Sequence, residues 1–485
     1  MRLAKRFALL TVVSLLGAAA AYLQSRLLVQ FYGAGRVLDM YYLATAAPMA
    51  AMTMLGVGGT ALLVPLFARN LGPDRRVDDS RGLRFWAAGV VLVALLVSAV
   101  ASIVLRLWPA SWEASGWLAL IALGSGAYGL SFYAQAILVA EERPVWFAWA
   151  QVLSFVGFIV LLVAARWPQT IQSVSLLYAA GGAVQLVIAA LAVALRRRTS
   201  ESTHPVRVHD FTTHVGHAVF AVIWVVVFMQ SASVVDRWFS SLYAVGFVTS
   251  YALADKMVQI LVSTLAATVG TVVFPRMLEK GRSGGLLTGT SIVAVVLALA
   301  PVSAALVVFP QAVVSIAYGG GKFNAEAVRQ TADVLALLSL GLLPMGLVFT
   351  LPRRLQAVGR YNIQAVIAGV LLGSNLVLKL VLTKTLGAAG VPLSSALAYV
   401  VASVMYVAYL FLMRLVHVSR EQLVSLAVIL IASVGLAVGF RVVFGPGARW
   451  WVPALCLACT WGVIGALLWR SLLTMNAGTA PEAVS

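Results

Sequence analysis

Apolar runs of twenty or more residues recur from one end of the chain to the other, separated by short polar breaks, and within each run apolar residues occupy every face of a helix. A run of that length crosses a hydrocarbon core of ~30 Å as α-helix. A membrane strand would alternate apolar and polar residues, and the runs lack that alternation. The pattern predicts an all-α polytopic membrane protein with fourteen spans, near 7–31, 38–66, 85–107, 115–140, 145–165, 172–195, 217–235, 245–274, 286–316, 331–351, 361–383, 387–413, 421–443 and 450–469. Arg2, Lys5 and Arg6 precede the first run as they would in a signal peptide, but the run stays apolar to Tyr32, beyond any cleavage point, and reads as a retained span.

One stretch occurs twice. The first copy, QSRLLVQFYGAGRVLDMYY, runs from Gln24 to Tyr42; the second, DRWFSSLYAVGFVTSYALADK, runs from Asp236 to Lys256. Arg26 precedes Gly35 by the same interval as Arg237 precedes Gly246, Tyr32 and Tyr243 share an offset, and Pro65 and Pro275 close the apolar helix after each copy. A repeat of this length is too long for a solenoid and indicates two homologous lobes, an arrangement common in transporters. Each lobe holds an even number of spans, so the lobes are expected to be related by a pseudo-two-fold axis along the membrane normal. The expected organisation is an N-lobe over 1–195, a cytoplasmic linker over 196–216, a C-lobe over 217–415, two further spans over 416–475 and a tail over 476–485.

Composition excludes several classes. Hydrophobic residues make up 62% of the chain and charged residues 10%, against ~45–50% and ~25% in soluble domains. The net charge of +18 would suggest a nucleic-acid partner in a soluble protein. Here the clusters Arg69–Arg84, Arg196–Arg207, Arg276–Arg282 and Arg353–Arg360 all fall on one side if Met1 is cytoplasmic, which is the positive-inside bias. They set topology, attract anionic lipid and leave no call for nucleic acid. Both termini are then cytoplasmic.

Ionisable residues inside spans are costly and by default mark a pathway or a pair. They are Arg26, Asp39, Asp236, Arg237, Asp255, Lys256 and Lys379. Arg26 and Lys256 each lie in the helix pair that opens a lobe, and a cleft lined by such cations suits an anionic substrate, because guanidinium and ammonium groups pair with phosphate by charge-assisted hydrogen bonds. The plainer reading is local neutralisation: Arg26 by Asp39, Lys256 by Asp255 or Asp236, and Lys379 by snorkelling to the outer surface. Asp236 with Arg237 reads as a structural pair at the outer end of its span.

Other motifs fail on context. Gly319, Gly320, Gly321 and Lys322 resemble a phosphate loop, yet the first glycine is missing and Phe323 replaces Ser or Thr. Cys456 and Cys459 lie one turn apart in an apolar span, where thiols behave as small apolar groups. The five histidines show no metal-ligand spacing. No cofactor or metal is expected. Gly124, Gly126, Gly129, Gly181 and Gly182 read as helix-packing contacts, and Pro301 and Pro344 as kinks in the ninth and tenth spans.

FYGAG at Phe31–Gly35 followed by Asp39, SYALADKMVQ at Ser250–Gln259, FPR at Phe274 and YGGGKF at Tyr318–Phe323 together resemble the MurJ/MviN-type lipid II flippases of the multidrug/oligosaccharidyl-lipid/polysaccharide exporter superfamily, which includes the Wzx-like polysaccharide flippases. The resemblance implies two six-helix lobes around a central cavity, two extra helices that shape a lipid groove, and nucleotide-independent flipping of an undecaprenyl-diphosphate-linked saccharide across a bacterial inner membrane. It implies a polyprenyl-diphosphate-linked glycan and membrane lipid as partners, with coupling to H+, Na+ or the membrane potential. By position, Asp39 matches the family's acid in the second span and Lys256 its cavity cation. The chain departs where lipid II flippases carry further arginines: those positions are Ala18 and Gln24, and no Lys or Arg lies between Arg36 and Arg69. That departure favours another polyprenyl-linked glycan, such as an O-unit or capsule repeat. The expected site is Arg26, Asp39, Asp255 and Lys256, with Asp236, Arg237 and Lys379 secondary. A multidrug or cation antiporter of the same superfamily is the alternative. A membrane glycosyltransferase or glycan ligase is more remote, because the short outer loops position no general base.

Overall fold

The computed structural model describes residues 2–53, 115–141, 144–164, 170–197, 216–277 and 282–444, with a few positions between 455 and 462. The span expected near 85–107, most of that near 450–469, most of the linker over 196–216, Pro65, the Arg69–Arg84 cluster, Cys456 and the tail lie outside these residues.

Helices account for nearly all of the described chain, and no strand occurs there. They are α1 (Arg2–Tyr32), α2 (Arg36–Thr53), α3 (Ser115–Ala140), α4 (Pro144–Ala164), α5 (Ile171–Arg197), α6 (Gly216–Ser240), α7 (Phe247–Met277), α8 (Arg282–Val308), α9 (Pro310–Tyr318), α10 (Ala325–Ser339), α11 (Leu342–Thr350), α12 (Pro352–Ala357), α13 (Tyr361–Leu386), α14 (Gly390–Leu412) and α15 (Arg420–Phe444). The apolar runs and these helices coincide to within a few residues at most ends, because in hydrocarbon every backbone group must bond within its own helix. Among the described residues six helical segments are long and apolar enough to cross a membrane, or seven with the bent pair α10–α12.

The chain divides into two compact units, Met1–Thr249 with Gly320–Asn324, and Ser250–Gly319 with Ala325–Ser485. This division follows packing, whereas the sequence repeat follows homology. The two differ because α6 lies against α2.

In the first unit α3 packs on α5, α4 on both α1 and α5, and α2 on α3. Small residues set the α3–α5 approach: a Cβ at Gly182 would stand 2.5 Å from the Gly124 carbonyl oxygen, and one at Gly124 would stand 2.8 Å from the Tyr178 ring. The expectation that Gly124, Gly181 and Gly182 are packing contacts is met, while Gly126 faces open space. Three polar pairs in this interior are bonded across helices: Ser125 with Tyr178, Tyr128 with Ser154, and Gln185 with Ser131.

In the second unit α13 packs on α14, α8 on α15 and α11, and α11 on α14. The tenth span is broken at Leu340–Gly341, with a bend of 51°. Pro344 explains the position, since its ring excludes the carbonyl four residues earlier, that of Leu340. Ser303 of α8 donates to the Ser339 carbonyl that the break frees, at 2.6 Å. In the ninth span α8 continues through Pro301, and an interruption follows at Phe309, where Pro310 starts α9.

Candidate functional site

The repeated stretch folds in both copies as a helix, a turn and a second helix: α1, residues 33–35 and α2; then α6, residues 241–246 and α7. Gly35 and Gly246 each stand immediately before the second helix. A glycine at this position supplies no side chain to bond the free N–H groups of a first helical turn.

Asp39 supplies what Gly246 lacks. One of its carboxylate oxygens accepts the Gly246 N–H at 2.5 Å. The other accepts the Thr249 N–H at 2.8 Å and the Thr249 hydroxyl at 2.6 Å. A capping box satisfies these same two N–H groups with side chains of its own helix, whereas here one acid from α2 satisfies both. Its negative charge also faces the positive end of the α7 dipole. The carboxylate is thus held by α7 and not by Arg26, whose guanidinium lies beside the Tyr22 hydroxyl one turn back along α1.

Arg237, in the last turn of α6, donates to the Tyr42 carbonyl of α2 at 3.1 Å, so each copy of the repeat sends one charged side chain to the other. Asp236 beside it is buried. The YGGGKF loop joins the same unit. Lys322 N–H donates to the Gln30 carbonyl near the end of α1 at 2.9 Å. Gly320 and Gly321 have φ of 114° and 58°, and a Cβ on Gly321 would stand 2.5 Å from the Gln30 carbonyl oxygen. These glycines serve a tight turn pressed onto another backbone, which agrees with rejecting them as a phosphate loop.

The remaining candidates lie in the second unit. Asp255 and Lys256 are half-buried on α7, with the Asp255 carboxylate accepting from Gln259 at 3.5 Å. Lys379 is wholly buried, 0% exposed. It does not snorkel: its ammonium donates to Asn375 Oδ1 and, at 2.8 Å, to Ser395 Oγ. Sequence reasoning missed Gly246 and Thr249 as partners of Asp39, Gln30 as the seat of the loop, and Ser395 as partner of Lys379. Only Asn375, one turn before Lys379, carried a local signal. Among the described residues no cluster of His, Cys, Asp or Glu is placed to hold a metal.

The model of the lipid II flippase MurJ family matches residues 28–453. The chain belongs to the lipid II flippase MurJ family. It is a multi-pass membrane transporter, not a catalyst. A solved structure of lipid II flippase MurJ in an inward closed conformation superposes with a TM-score of 0.80 at 16% identity, covering 96% of this chain and 100% of that one. The Vibrio cholerae MATE transporter VcmN superposes with a TM-score of 0.61 at 15% identity, covering 85% and 98%. A MOP superfamily transporter from Pyrococcus furiosus superposes at 0.57 and 16% identity, covering 85% and 95%. At such identities the likeness is one of fold, and the MurJ structure accounts for more of the chain than the two others do. No curated protein matches the chain in sequence.

Proposed function

We propose that the chain flips an undecaprenyl-diphosphate-linked saccharide from the cytoplasmic to the periplasmic leaflet of a bacterial inner membrane, with both termini cytoplasmic and with alternating access as the mechanism. The observation that carries this reading is the MurJ family match over residues 28–453, supported by the fold. The saccharide is a lipid II-like precursor or a polysaccharide repeat unit, and Ala18 and Gln24, where lipid II flippases carry arginines, favour the latter.

Arg26 and Lys256 are the cations assigned to the diphosphate, since both are intramembrane and only part-buried. Asp255, beside Lys256, orients or releases the bound group. Asp39, seated on the first turn of α7, shares that role with Asp255. The membrane potential or an ion gradient drives the cycle, and each elementary charge moved across the field contributes ~2.3 kcal/mol per 100 mV.

The test is complementation. The chain is expressed in cells depleted of their lipid II flippase and, separately, in cells lacking an O-unit flippase, each with the Arg26→Ala and Lys256→Ala variants alongside. Rescue of growth assigns a peptidoglycan precursor, and rescue of surface glycan alone assigns a polysaccharide unit. Loss of rescue in both variants, at wild-type membrane levels, is the expected result. Unchanged rescue removes the two cations from the site. If neither strain is rescued by protein present in the membrane, the flippase reading gives way to the antiporter.

A further inference from the structure

The hairpin of α13 and α14 carries an arginine where its apolar run begins. Helix α13 starts at Tyr361, immediately after Arg360, and α14 ends at Leu412. The two helices pack on each other and only the turn Gly387–Ala389 joins them, so the start of α13 lies beside the end of α14. The stretch Tyr361–Leu412 is long and apolar enough to cross a membrane, which sets Arg360 and Tyr409 at the level of the lipid headgroups. There the guanidinium is tied to protein. Its Nη1 donates to the Tyr409 hydroxyl at 2.5 Å and to Met413 Sδ at 3.6 Å, and Cζ lies 5.9 Å from the centroid of the Tyr409 ring. These contacts use both hydrogens of Nη1. The N–H groups of Nε and Nη2 have no partner among the described residues. Side by side, they form the fork that takes two oxygens of one phosphate. The Tyr409 hydroxyl, having accepted from Arg360, keeps its own hydrogen to donate.

The surroundings name the anion. No Asp or Glu occurs from Leu351 to Arg420, whereas Arg353, Arg360, Arg414 and Arg420 are all exposed there. The hairpin therefore supplies no counter-charge of its own. Leu397, Val401, Val404 and Leu412 are exposed on α14, and their spacing makes one stripe along that helix. It leads to the turn that carries Tyr409 and Met413. A fork for phosphate at the end of an apolar stripe matches a lipid better than a free ion. We propose that this end of the hairpin is a site for one anionic glycerophospholipid, with Arg360 and Tyr409 on its phosphodiester and an acyl chain along the stripe of α14. Any basic cluster at a membrane surface draws anionic lipid. A defined site differs, because it needs the fork and the phenol as well as the charge. The site is independent of which glycan the protein moves.

The experiment measures thermal unfolding of the purified full-length protein in detergent, titrated with phosphatidylglycerol, with phosphatidylcholine of the same chains, or with inorganic phosphate. Wild type is expected to show a saturable rise in midpoint with phosphatidylglycerol, as binding to the folded state requires. The rise should be smaller with phosphatidylcholine, whose choline offsets the phosphate charge, and absent with inorganic phosphate, which has no chain. An equal response to phosphate, or equal responses to the two lipids, overturns the inference. Arg360→Gln should raise the half-saturating phosphatidylglycerol fraction about 100-fold and Tyr409→Phe about tenfold, for the loss of two bonds and one bond to a charged group. Arg360→Lys keeps the charge without the fork and should fall between wild type and Arg360→Gln. Arg353→Gln removes the same charge from the same surface and should bind as wild type does. A loss there equal to that of Arg360→Gln overturns the inference, since net charge alone would then set the affinity. Should Arg360→Gln not fold, Tyr409→Phe decides in its place, because it removes a single oxygen, and unchanged binding in that variant overturns the inference as well.

Discussion

Removing the Asp39 carboxylate tests whether the first turn of α7 depends on a side chain from α2. In Asp39→Ala the N–H groups of Gly246 and Thr249 lose an acceptor held at 2.5 and 2.8 Å. A hydrogen bond to a charged group contributes about 1.5 kcal/mol at the low end of its range, so the two together contribute about 3 kcal/mol. Amide exchange through local opening responds to that loss directly. At 1.4 kcal/mol per tenfold, exchange at Gly246 and Thr249 is expected to accelerate about 100-fold. Asp39→Asn keeps one carbonyl oxygen for Thr249 but loses the charge and the second acceptor. With about 1 kcal/mol retained for a neutral bond, its acceleration is expected near 30-fold. Hydrogen–deuterium exchange on a peptide spanning residues 244–252 reads both values, with a peptide from α14 as internal control. Exchange unchanged in Asp39→Ala, or equal in Asp39→Asn and wild type, would refute the cap.

Three further expectations come from neighbouring contacts. Gly321→Ala places a Cβ against the Gln30 carbonyl at a φ of 58°, a conformation costing a non-glycine residue about 1 kcal/mol or more before the contact is counted. It should raise exchange at Lys322, whereas Gly35→Ala, with nothing near its Cβ and no positive φ, should leave exchange there unchanged. Arg237→Met keeps the alkyl stem but loses the donor to the Tyr42 carbonyl. It should lower the thermal midpoint by the equivalent of about 1–2 kcal/mol, and a midpoint equal to wild type would show that this contact contributes nothing. Gly182→Leu should prevent α3 and α5 from reaching their separation and lower the yield of folded protein, while Gly126→Ala, which faces open space, should not.

The helices were legible because the membrane makes span length and apolar composition local properties. The repeat was legible too, since Arg26, Gly35, Arg237 and Gly246 keep one spacing through both copies, and that spacing is realised as two helix–turn–helix units. Kinks were legible only in part. Pro344 explains a break that carbonyl crowding demands, but the break at Pro310, beyond the Pro301 within α8, was not expected.

The partners of the intramembrane charges were decided by tertiary structure alone. From the chain, Asp39 is thirteen residues from Arg26 and an obvious neutralising partner for it. In the fold it meets Gly246 and Thr249, about two hundred residues away, because a helix start whose cap is glycine needs an acceptor and α2 brings one. Lys379 reads in sequence as a residue near the end of an apolar run that a long side chain can leave. In the structure the stripe through Leu371 and Asn375 turns it inward, where Ser395 supplies an oxygen from a helix that no local pattern links to it. Which face of an all-apolar helix meets protein and which meets lipid is not written in its hydropathy. Packing against neighbours sets that choice, and with it the role of every charge the helix carries.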